Sequence, residues 1–230
     1  MEQSTAPIIQ ISIDIITLDE ALALARGAVN AGVDWLEAGT PLILAEGMRG
    51  VQMFRREFPD VPIVADLKTM DGAGLEAEVM FKAGANMVVV MGQAHDASII
   101  EQVKMARRYG GKVMCDVMLC ADKPKRAREA QELGVDYIIV HTGFDERNMI
   151  NGLSPLNDLP GVLAAVDIPV QAVGGLSIDQ AIQTLEMGAQ IVVFGAPLVI
   201  SGTEFKAQEG FEEKLREIVQ RVKQTRIGGR

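Results

Sequence analysis

Cysteine and aromatic residues are scarce in this chain of 230 residues. Its two cysteines, Cys115 and Cys120, are too few for a disulfide framework or a closed zinc site, so we interpret both as reduced structural thiols. Aromatic residues make up 4% of the sequence and hydrophobic residues 48%. The core must therefore be built mainly from Val, Ile, Leu, Ala and Met, which suits a close-packed α/β interior.

Excess basic charge and long apolar segments are also absent. The chain has 22 Lys and Arg against 31 Asp and Glu, a net charge of −9, which argues against nucleic acid or an anionic membrane bound over a broad surface. Any bound phosphate must be held locally. The N-terminal segment lacks a basic region and carries Asp14 inside its apolar run, which argues against a secretory signal or a transmembrane span. We expect a soluble, cytoplasmic protein.

A short pattern centred on glycine recurs along the chain. Gly32, Gly84, Gly134 and Gly188 each follow an amphipathic helical stretch and precede an apolar run. These glycines lie 52, 50 and 54 residues apart, which accommodates two strand–helix units of about 25 residues each. Glycine adopts the left-handed conformation that ends a helix at little cost, so each glycine is predicted to mark a helix end.

Eight mostly continuous apolar runs predict strands that are covered on both faces, as in a parallel sheet. The predicted strands are Ile8–Asp14, Trp35–Glu37, Ile63–Asp66, Met87–Met91, Lys112–Asp116, Tyr137–His141, Val170–Val173 and Ile191–Phe194. Helical segments alternate with these strands, and two of them begin with predicted capping boxes, Thr17 with Glu20 and Ser177 with Gln180.

This alternation predicts an α/β protein, a (β/α)8 TIM barrel that spans residues 1–230 as a single domain. A doubly wound sheet has the same local signals and stays open as the alternative. The basic residues near 223–230 predict a short flexible tail.

Polar residues cluster at the carboxyl ends of the predicted strands, which meet at one mouth of a barrel. They are Asp14, Glu37, Asp66, Lys68, Asp116 and His141. Several carboxylates in a partly desolvated pocket raise one another's pKa unless cations neutralise them, and Lys68 or a divalent metal such as Mg²⁺ would serve. The plainer interpretation of each single acid is a cap for the following helix.

Asp66 and Lys68 are two residues apart, so in an extended segment both side chains point into the mouth, with Asp71 just beyond. An ordinary salt-bridged loop is the alternative. His141 ends an apolar run and suits proton transfer near neutral pH, although a histidine at a strand end can also be structural. We interpret the other histidine, His95, as a solvated loop residue or a helix-start contact.

Glycines at the last two strand ends predict a phosphate site. Gly174 and Gly175 precede a capped helix whose N-terminus and backbone N–H groups favour an anion, and Gly195 and Ala196 follow the eighth strand. The chain has neither a Walker-type loop nor a G-x-G-x-x-G pattern, which argues against nucleoside triphosphates and dinucleotides.

Together these residues resemble the 3-hexulose-6-phosphate synthases of the orotidine-monophosphate-decarboxylase superfamily. The most specific segment, 65–71, has the superfamily's Asp-x-Lys-x-x-Asp pattern, filled with the Thr-Met that is typical of the synthases. Segments 35–43 and 140–145 are similar to two further family segments, and the likeness extends from Gln10 to about Ile200.

This resemblance implies a Mg²⁺-dependent aldol reaction that joins formaldehyde to D-ribulose 5-phosphate, giving D-arabino-3-hexulose 6-phosphate, and its reverse. Glu37 and Asp66 would bind Mg²⁺, which stabilises an enediolate as a Lewis acid. His141 would remove the proton from the first carbon of the substrate, and Lys68 would supply positive charge or a proton.

For the remaining residues, the resemblance implies roles in substrate binding and assembly. Asp14 would bind substrate hydroxyls and Asp116 would help to position them. The phosphate would rest on Gly174, Gly175, Gly195 and Ala196. Family members are typically homodimers with shared sites, so Asp71 would be contributed across the interface.

Two segments depart from the family pattern. Segment 194–198 contains Pro197, which offers no backbone donor, and segment 118–120 has unexpected side chains. Three rival functions also stay open. They are a 3-keto-L-gulonate-6-phosphate decarboxylase, a Schiff-base aldolase with Lys68 as nucleophile, and a catalytically silent paralogue that binds a sugar phosphate.

Overall fold

Eight parallel strands close into a barrel in the order of the sequence, with β8 pairing back onto β1. The computed structural model describes residues 6–196, 199–200, 203–204 and 210–228. The barrel strands are β1 (Ile8–Ile13), β2 (Trp35–Ala38), β3 (Ile63–Thr69), β4 (Met87–Met91), β5 (Lys112–Asp116), β6 (Tyr137–His141), β7 (Val170–Val173) and β8 (Ile191–Ala196). Two further short strands, β9 (Val199–Ile200) and β10 (Thr203–Glu204), form an antiparallel pair.

Helices lie between successive barrel strands. They are α1 (Leu18–Ala31), α2 (Thr40–Glu46), α3 (Met48–Glu57), α4 (Ala73–Ala83), α5 (Asp96–Tyr109), α6 (Lys123–Glu132), α7 (Phe144–Met149), α8 (Pro155–Leu163) and α9 (Ile178–Glu186), with α10 (Phe211–Lys223) after β10. The closed strand order confirms the TIM barrel and excludes the doubly wound sheet, in which the sheet stays open. Among the described residues, no helix is long and apolar enough to cross a bilayer.

The recurring glycines mark helix ends as predicted. Gly32, Gly84, Gly134 and Gly188 all have positive φ, between 96° and 112°. The sequence also predicted the bounds of β4, β5, β6 and β7 as the structure has them. The main difference is β3, which continues to Thr69 through an irregular register after Ala65.

The helix starts agree with the sequence in two places and differ in one. The capping box of Ser177 and Gln180 is formed, and Nδ1 of His95 accepts a hydrogen bond from the Ala97 N–H at the start of α5. The predicted capping box at Thr17 is wrong. The Thr17 hydroxyl donates to the Glu20 carboxylate at 2.5 Å, so it does not cap a backbone N–H.

The apolar core has two parts. The larger part lies between the strands and the helices. The smaller part fills the barrel interior with Trp35, Val64, Met87, Val89, Met114, Tyr137, Ile139 and Ile191. The rings of Trp35 and Tyr137 pack edge to face, with their centroids 5.5 Å apart. Both cysteines are free thiols, as predicted, and Cys115 is fully buried.

The segment predicted as a flexible tail contacts the barrel up to Gly228. Lys223 lies at the end of α10, and its ammonium donates to Asp34 at 2.6 Å and to the Pro7 carbonyl at 2.8 Å. The Gly228 N–H donates to the carbonyl of Leu185. Residues 229–230 lie outside the described residues.

Candidate active site

A cavity of about 680 Å³ opens at the carboxyl ends of the barrel strands. This volume lies in the range of small-molecule sites. Of the predicted site residues, those that line it are Asp14, Glu37, Asp66, Lys68, Asp116, His141, Gly174, Gly175, Gly195 and Ala196. The exception is Asp71, which is exposed between β3 and α4 and does not line this cavity.

Glu37 is the most deeply buried carboxylate of the β1–β2 side. One of its oxygens accepts from the Gln10 amide, and the other accepts from the Ser12 hydroxyl at 2.9 Å. The Ser12 hydroxyl also lies 3.1 Å from an oxygen of Asp14. Gln10 and Ser12 alternate along β1 and Asp14 directly follows it, so all three side chains face the barrel interior.

Asp66 and Lys68 form an ion pair inside the cavity. Asp66 also accepts from the Thr40 hydroxyl at 2.8 Å. Both side chains face the cavity as predicted, but the reason is a local irregularity of β3, not plain strand alternation. Lys68 has φ = +47°, a left-handed conformation that costs a non-glycine residue about 1–2 kcal/mol. The surrounding structure holds this backbone in a strained form that aims the ammonium at the acids.

The acidic residues destabilise one another's charged forms. Burial, together with the nearby charges of Asp66 and Asp14, raises the pKa of Glu37 to about 8. Asp14 is open to the cavity on one side, yet its surroundings desolvate it enough to raise its pKa, and Asp66 adds to this effect. Burial alone lowers the pKa of Lys68, but the charges of Asp66, Glu37 and Asp116 outweigh it and raise the pKa.

His141 is held by Asp116 at the opposite side of the mouth. Its Nδ1 lies 2.7 Å from one Asp116 oxygen, and the other oxygen accepts from the Met118 N–H at 2.8 Å. Because an ionised carboxylate only accepts, we assign the hydrogen to Nδ1, which leaves the Nε2 lone pair for a ligand. Asp116 therefore orients His141, a role that the sequence did not predict, in addition to the expected role in positioning the substrate.

The glycine pair after β7 accommodates close neighbours. Gly174 has φ = +126°, and a Cβ there would overlap the Thr142 carbonyl. Gly175 has φ = +66°, and a Cβ there would lie 2.8 Å from Nη1 of Arg147. Ser177 follows as the N-cap of α9. Gly195 and Ala196 lie on the adjacent β8, whereas Pro197 lies outside the described residues.

Several residues of the cavity were missed by the sequence reasoning. They are Gln10, Ser12, Thr40, Arg147 and Gln171. Alternation along β1 and β7 was a signal for Gln10, Ser12 and Gln171, since each lies two or four residues before a strand end. For Arg147 the sequence carries no such signal, because its place depends on how α7 packs.

Comparison with known proteins identifies the family of this chain. The family model described as "Orotidine 5'-phosphate decarboxylase / HUMPS family" matches residues 7–218. The chain belongs to this family. One family relative, the 3-hexulose-6-phosphate synthase of Mycobacterium gastri, is 37% identical over 193 residues, which cover 83% of this chain and 90% of that protein.

Solved structures show the same barrel. The 3-hexulose-6-phosphate synthase from Salmonella typhimurium aligns with a TM-score of 0.82 at 28% identity, over 94% of this chain and 99% of that chain. The 3-keto-L-gulonate-6-phosphate decarboxylase from Vibrio cholerae aligns with a TM-score of 0.76 at 26% identity, over 95% of this chain and 99% of that chain. These findings confirm the resemblance that the sequence motifs predicted.

Proposed function

We propose that this protein catalyses the aldol condensation of formaldehyde with D-ribulose 5-phosphate to D-arabino-3-hexulose 6-phosphate, and the reverse cleavage. The observation that carries the proposal is the pair of His141 and Asp116, which places a ring nitrogen with a free lone pair in the same cavity as Glu37, Asp66 and Lys68. The names of the relatives support the same reaction. A cytoplasmic location stays a prediction.

His141 acts as the base in this proposal. Its Nε2 takes a proton from C1 of the sugar phosphate, and the electrons of the C–H bond form an enediolate across C1 and C2. C1 then attacks the carbon of formaldehyde, a C–C bond forms, and the formaldehyde oxygen takes up the proton from the imidazolium. Asp116 keeps the ring in the required tautomer and stabilises its charged form.

Lys68 supplies positive charge beside the enediolate. It is paired with Asp66, and its pKa is raised, so the amine stays protonated. A protonated amine cannot attack a carbonyl carbon, which argues against the Schiff-base alternative. In this proposal Asp14, which lines the cavity after β1, accepts hydrogen bonds from substrate hydroxyls.

The Glu37 and Asp66 carboxylates fit a Mg²⁺ ion. The described residues contain no group of three or more His, Cys, Asp or Glu side chains arranged around a single metal position. A site with two carboxylates suits Mg²⁺, which keeps several waters. Burial, together with the nearby charges of Asp66 and Asp14, raises the pKa of Glu37, and a bound divalent cation would favour its charged form. When bound, the ion would supply Lewis-acid stabilisation of negative charge on the sugar oxygens.

The test is an assay of formaldehyde consumption with D-ribulose 5-phosphate and Mg²⁺, run beside a decarboxylation assay on 3-keto-L-gulonate 6-phosphate. We expect rapid formaldehyde consumption, lost on addition of EDTA and restored by Mg²⁺. Faster decarboxylation than condensation would favour the decarboxylase instead. Activity that survives EDTA, with substrate trapped on the protein by borohydride, would favour the Schiff-base mechanism, and binding without turnover would favour the silent paralogue.

We also propose that two copies of the chain form a homodimer with shared active sites. Leu75 and Val79, 73% and 42% exposed, lie one turn apart on α4, and Met70 is 51% exposed just before it. In this proposal, these apolar side chains are covered by the second copy of the chain. Asp71 is exposed beside these residues, so it can enter the cavity of a partner when the two surfaces meet.

Subunit mixing tests the shared site. Asp71→Ala and His141→Ala homodimers should each be inactive, because each lacks a required side chain in both cavities. After unfolding and refolding together, half the dimers are mixed and carry one complete site, so about a quarter of native activity should return. Formaldehyde consumption measures the recovery.

Leu75→Glu tests the interface by placing a charge on the proposed contact surface. Met149→Glu is the matched control, since Met149 is 86% exposed and lies at the end of α7, outside that surface. Analytical ultracentrifugation should find the first variant monomeric and the second dimeric. A failure to recover any activity in the mixture, with mixed dimers demonstrably present, would contradict the shared site.

A further inference from the structure

Arg147 lies in the cavity wall and has no acidic partner among the residues that the structure describes. Among the described residues, its guanidinium makes no hydrogen bond and no ion pair, and its contact is with the Phe144 ring, whose centroid lies 5.0 Å from Cζ. Phe144 and Arg147 are three residues apart on α7, so the ring lies beside the guanidinium on one face of this helix. Burial lowers the pKa of Arg147, and no acidic side chain in the described part of the chain offsets this effect.

Charge in the cavity makes this arginine unusual. The acids that line it are Asp14, Glu37, Asp66, Asp116, Asp145 and Glu146, and the lysine and arginine side chains that line it are Lys68 and Arg147. Lys68 is already paired with Asp66. A dianionic ligand would therefore be repelled by most of this wall, and within the described part of the chain Arg147 is the cation of the wall that is available to attract it.

Arg147 packs against the glycine loop that precedes α9. Nη1, Cδ and Cζ of Arg147 would lie 2.8, 3.0 and 3.1 Å from a Cβ placed on Gly175, so the guanidinium occupies the space that this glycine leaves open. The loop then enters α9, whose first turn presents backbone N–H groups and the positive end of the helix dipole. Guanidinium and helix end thus lie on the same side of the cavity.

We propose that Arg147 binds the phosphate group of the sugar phosphate, together with the Gly174–Gly175 loop. The planar guanidinium donates two parallel hydrogen bonds to phosphate oxygens, and its charge offsets the acidic wall. The inference deepens the proposed function and rests on it for the identity of the sugar. Arg147 is a binding residue in this proposal and takes no part in the proton transfer assigned to His141.

Arg147→Gln tests the proposal, with Arg147→Lys as the conservative variant and Arg128→Gln as the matched control, since Arg128 is exposed on α6 and does not line the cavity. Calorimetric titration measures the affinity for inorganic phosphate and for D-ribulose 5-phosphate. We expect Arg147→Gln to weaken both by about 10- to 100-fold and Arg147→Lys to weaken them less. Arg128→Gln should bind as the native protein does.

Kinetics supply a second readout. A phosphate contact is made equally in the ground state and the transition state, so Arg147→Gln should raise KM for D-ribulose 5-phosphate and change kcat little. Thermal unfolding of each variant checks that the fold is kept.

The outcomes separate this inference from the proposed function. Phosphate binding that is present in the native protein and lost in Arg147→Gln supports the inference even where no condensation is detected. Native-like phosphate affinity and KM in Arg147→Gln overturn it, even when condensation is robust in the same protein. Undetectable binding of both anions to the native protein also overturns it.

Discussion

His141→Ala should lower kcat of the condensation by about 10²- to 10⁴-fold and leave the fold intact, because it removes the proposed base, whose ring is held by Asp116 at the cavity. The side chain is 17% exposed at the cavity and is not part of the apolar core, so its removal creates no large internal void. The loss should lie in kcat, since the proton transfer is a property of the transition state.

The proton transfer can be followed directly. In D₂O without formaldehyde, the native enzyme should exchange the C1 proton of D-ribulose 5-phosphate, as seen by NMR, and His141→Ala should not. The matched control is His95→Ala. It removes the cap of α5 and costs about 1 kcal/mol of stability, but it should leave turnover unchanged. Native-like exchange in folded His141→Ala would refute the role given to this residue.

Glu37→Gln should stabilise the metal-free protein and abolish its activity. The pKa of Glu37 in the folded chain is about 8, raised from 4.5 by burial and by Asp66 and Asp14. Between these two pH values the folded state holds a proton that the unfolded state has released. Stability therefore falls as pH rises from about 4.5 to about 8, and above pH 8 the full cost of the charge is present.

Glutamine does not ionise, so the variant does not carry the free-energy cost of a buried negative charge at this position. At pH 8.5 in EDTA, we expect Glu37→Gln to unfold with a free energy at least about 2 kcal/mol above that of the native protein, and the gain to vanish near pH 4. Urea unfolding at the two pH values measures this difference. Condensation should fall at least about 10²-fold, since a carboxylate proposed to bind Mg²⁺ is gone.

Glu217→Gln is the matched control, because Glu217 is exposed on α10. It should alter neither the pH dependence nor the activity. If Glu37→Gln is less stable than the native protein at pH 8.5, the electrostatic reasoning is wrong. If Glu37→Gln keeps native activity, Glu37 is not a required Mg²⁺ ligand.

Much of the fold could be predicted from local patterns. Helix-ending glycines and continuous apolar runs are set by neighbours along the chain, and they predicted four strands with the bounds that the structure has. The prediction failed at one helix start and at the end of one strand. Thr17 turns its hydroxyl to the Glu20 side chain, and β3 continues past Asp66 through the left-handed Lys68.

The candidate site divides in the same way. Strand ends could be located, so the chemical types gathered at the mouth were predictable from Asp14, Glu37, Asp66 and His141. The side chains that contact these residues could not be predicted from the sequence. Gln10 contacts Glu37, and Asp116 contacts His141, across 27 and 25 residues of sequence. Which side chains meet over such separations depends on the register of neighbouring strands.

By itself, the sequence determined the order of strands and helices and the kind of side chain at each strand end, because both depend on residues close together in the chain. Only the tertiary structure decided the closure of β8 onto β1, the raised pKa of Glu37 and the approach of Arg147 to Gly175. Each of these results from atoms brought together by packing, where burial removes water and strengthens the interactions between charges.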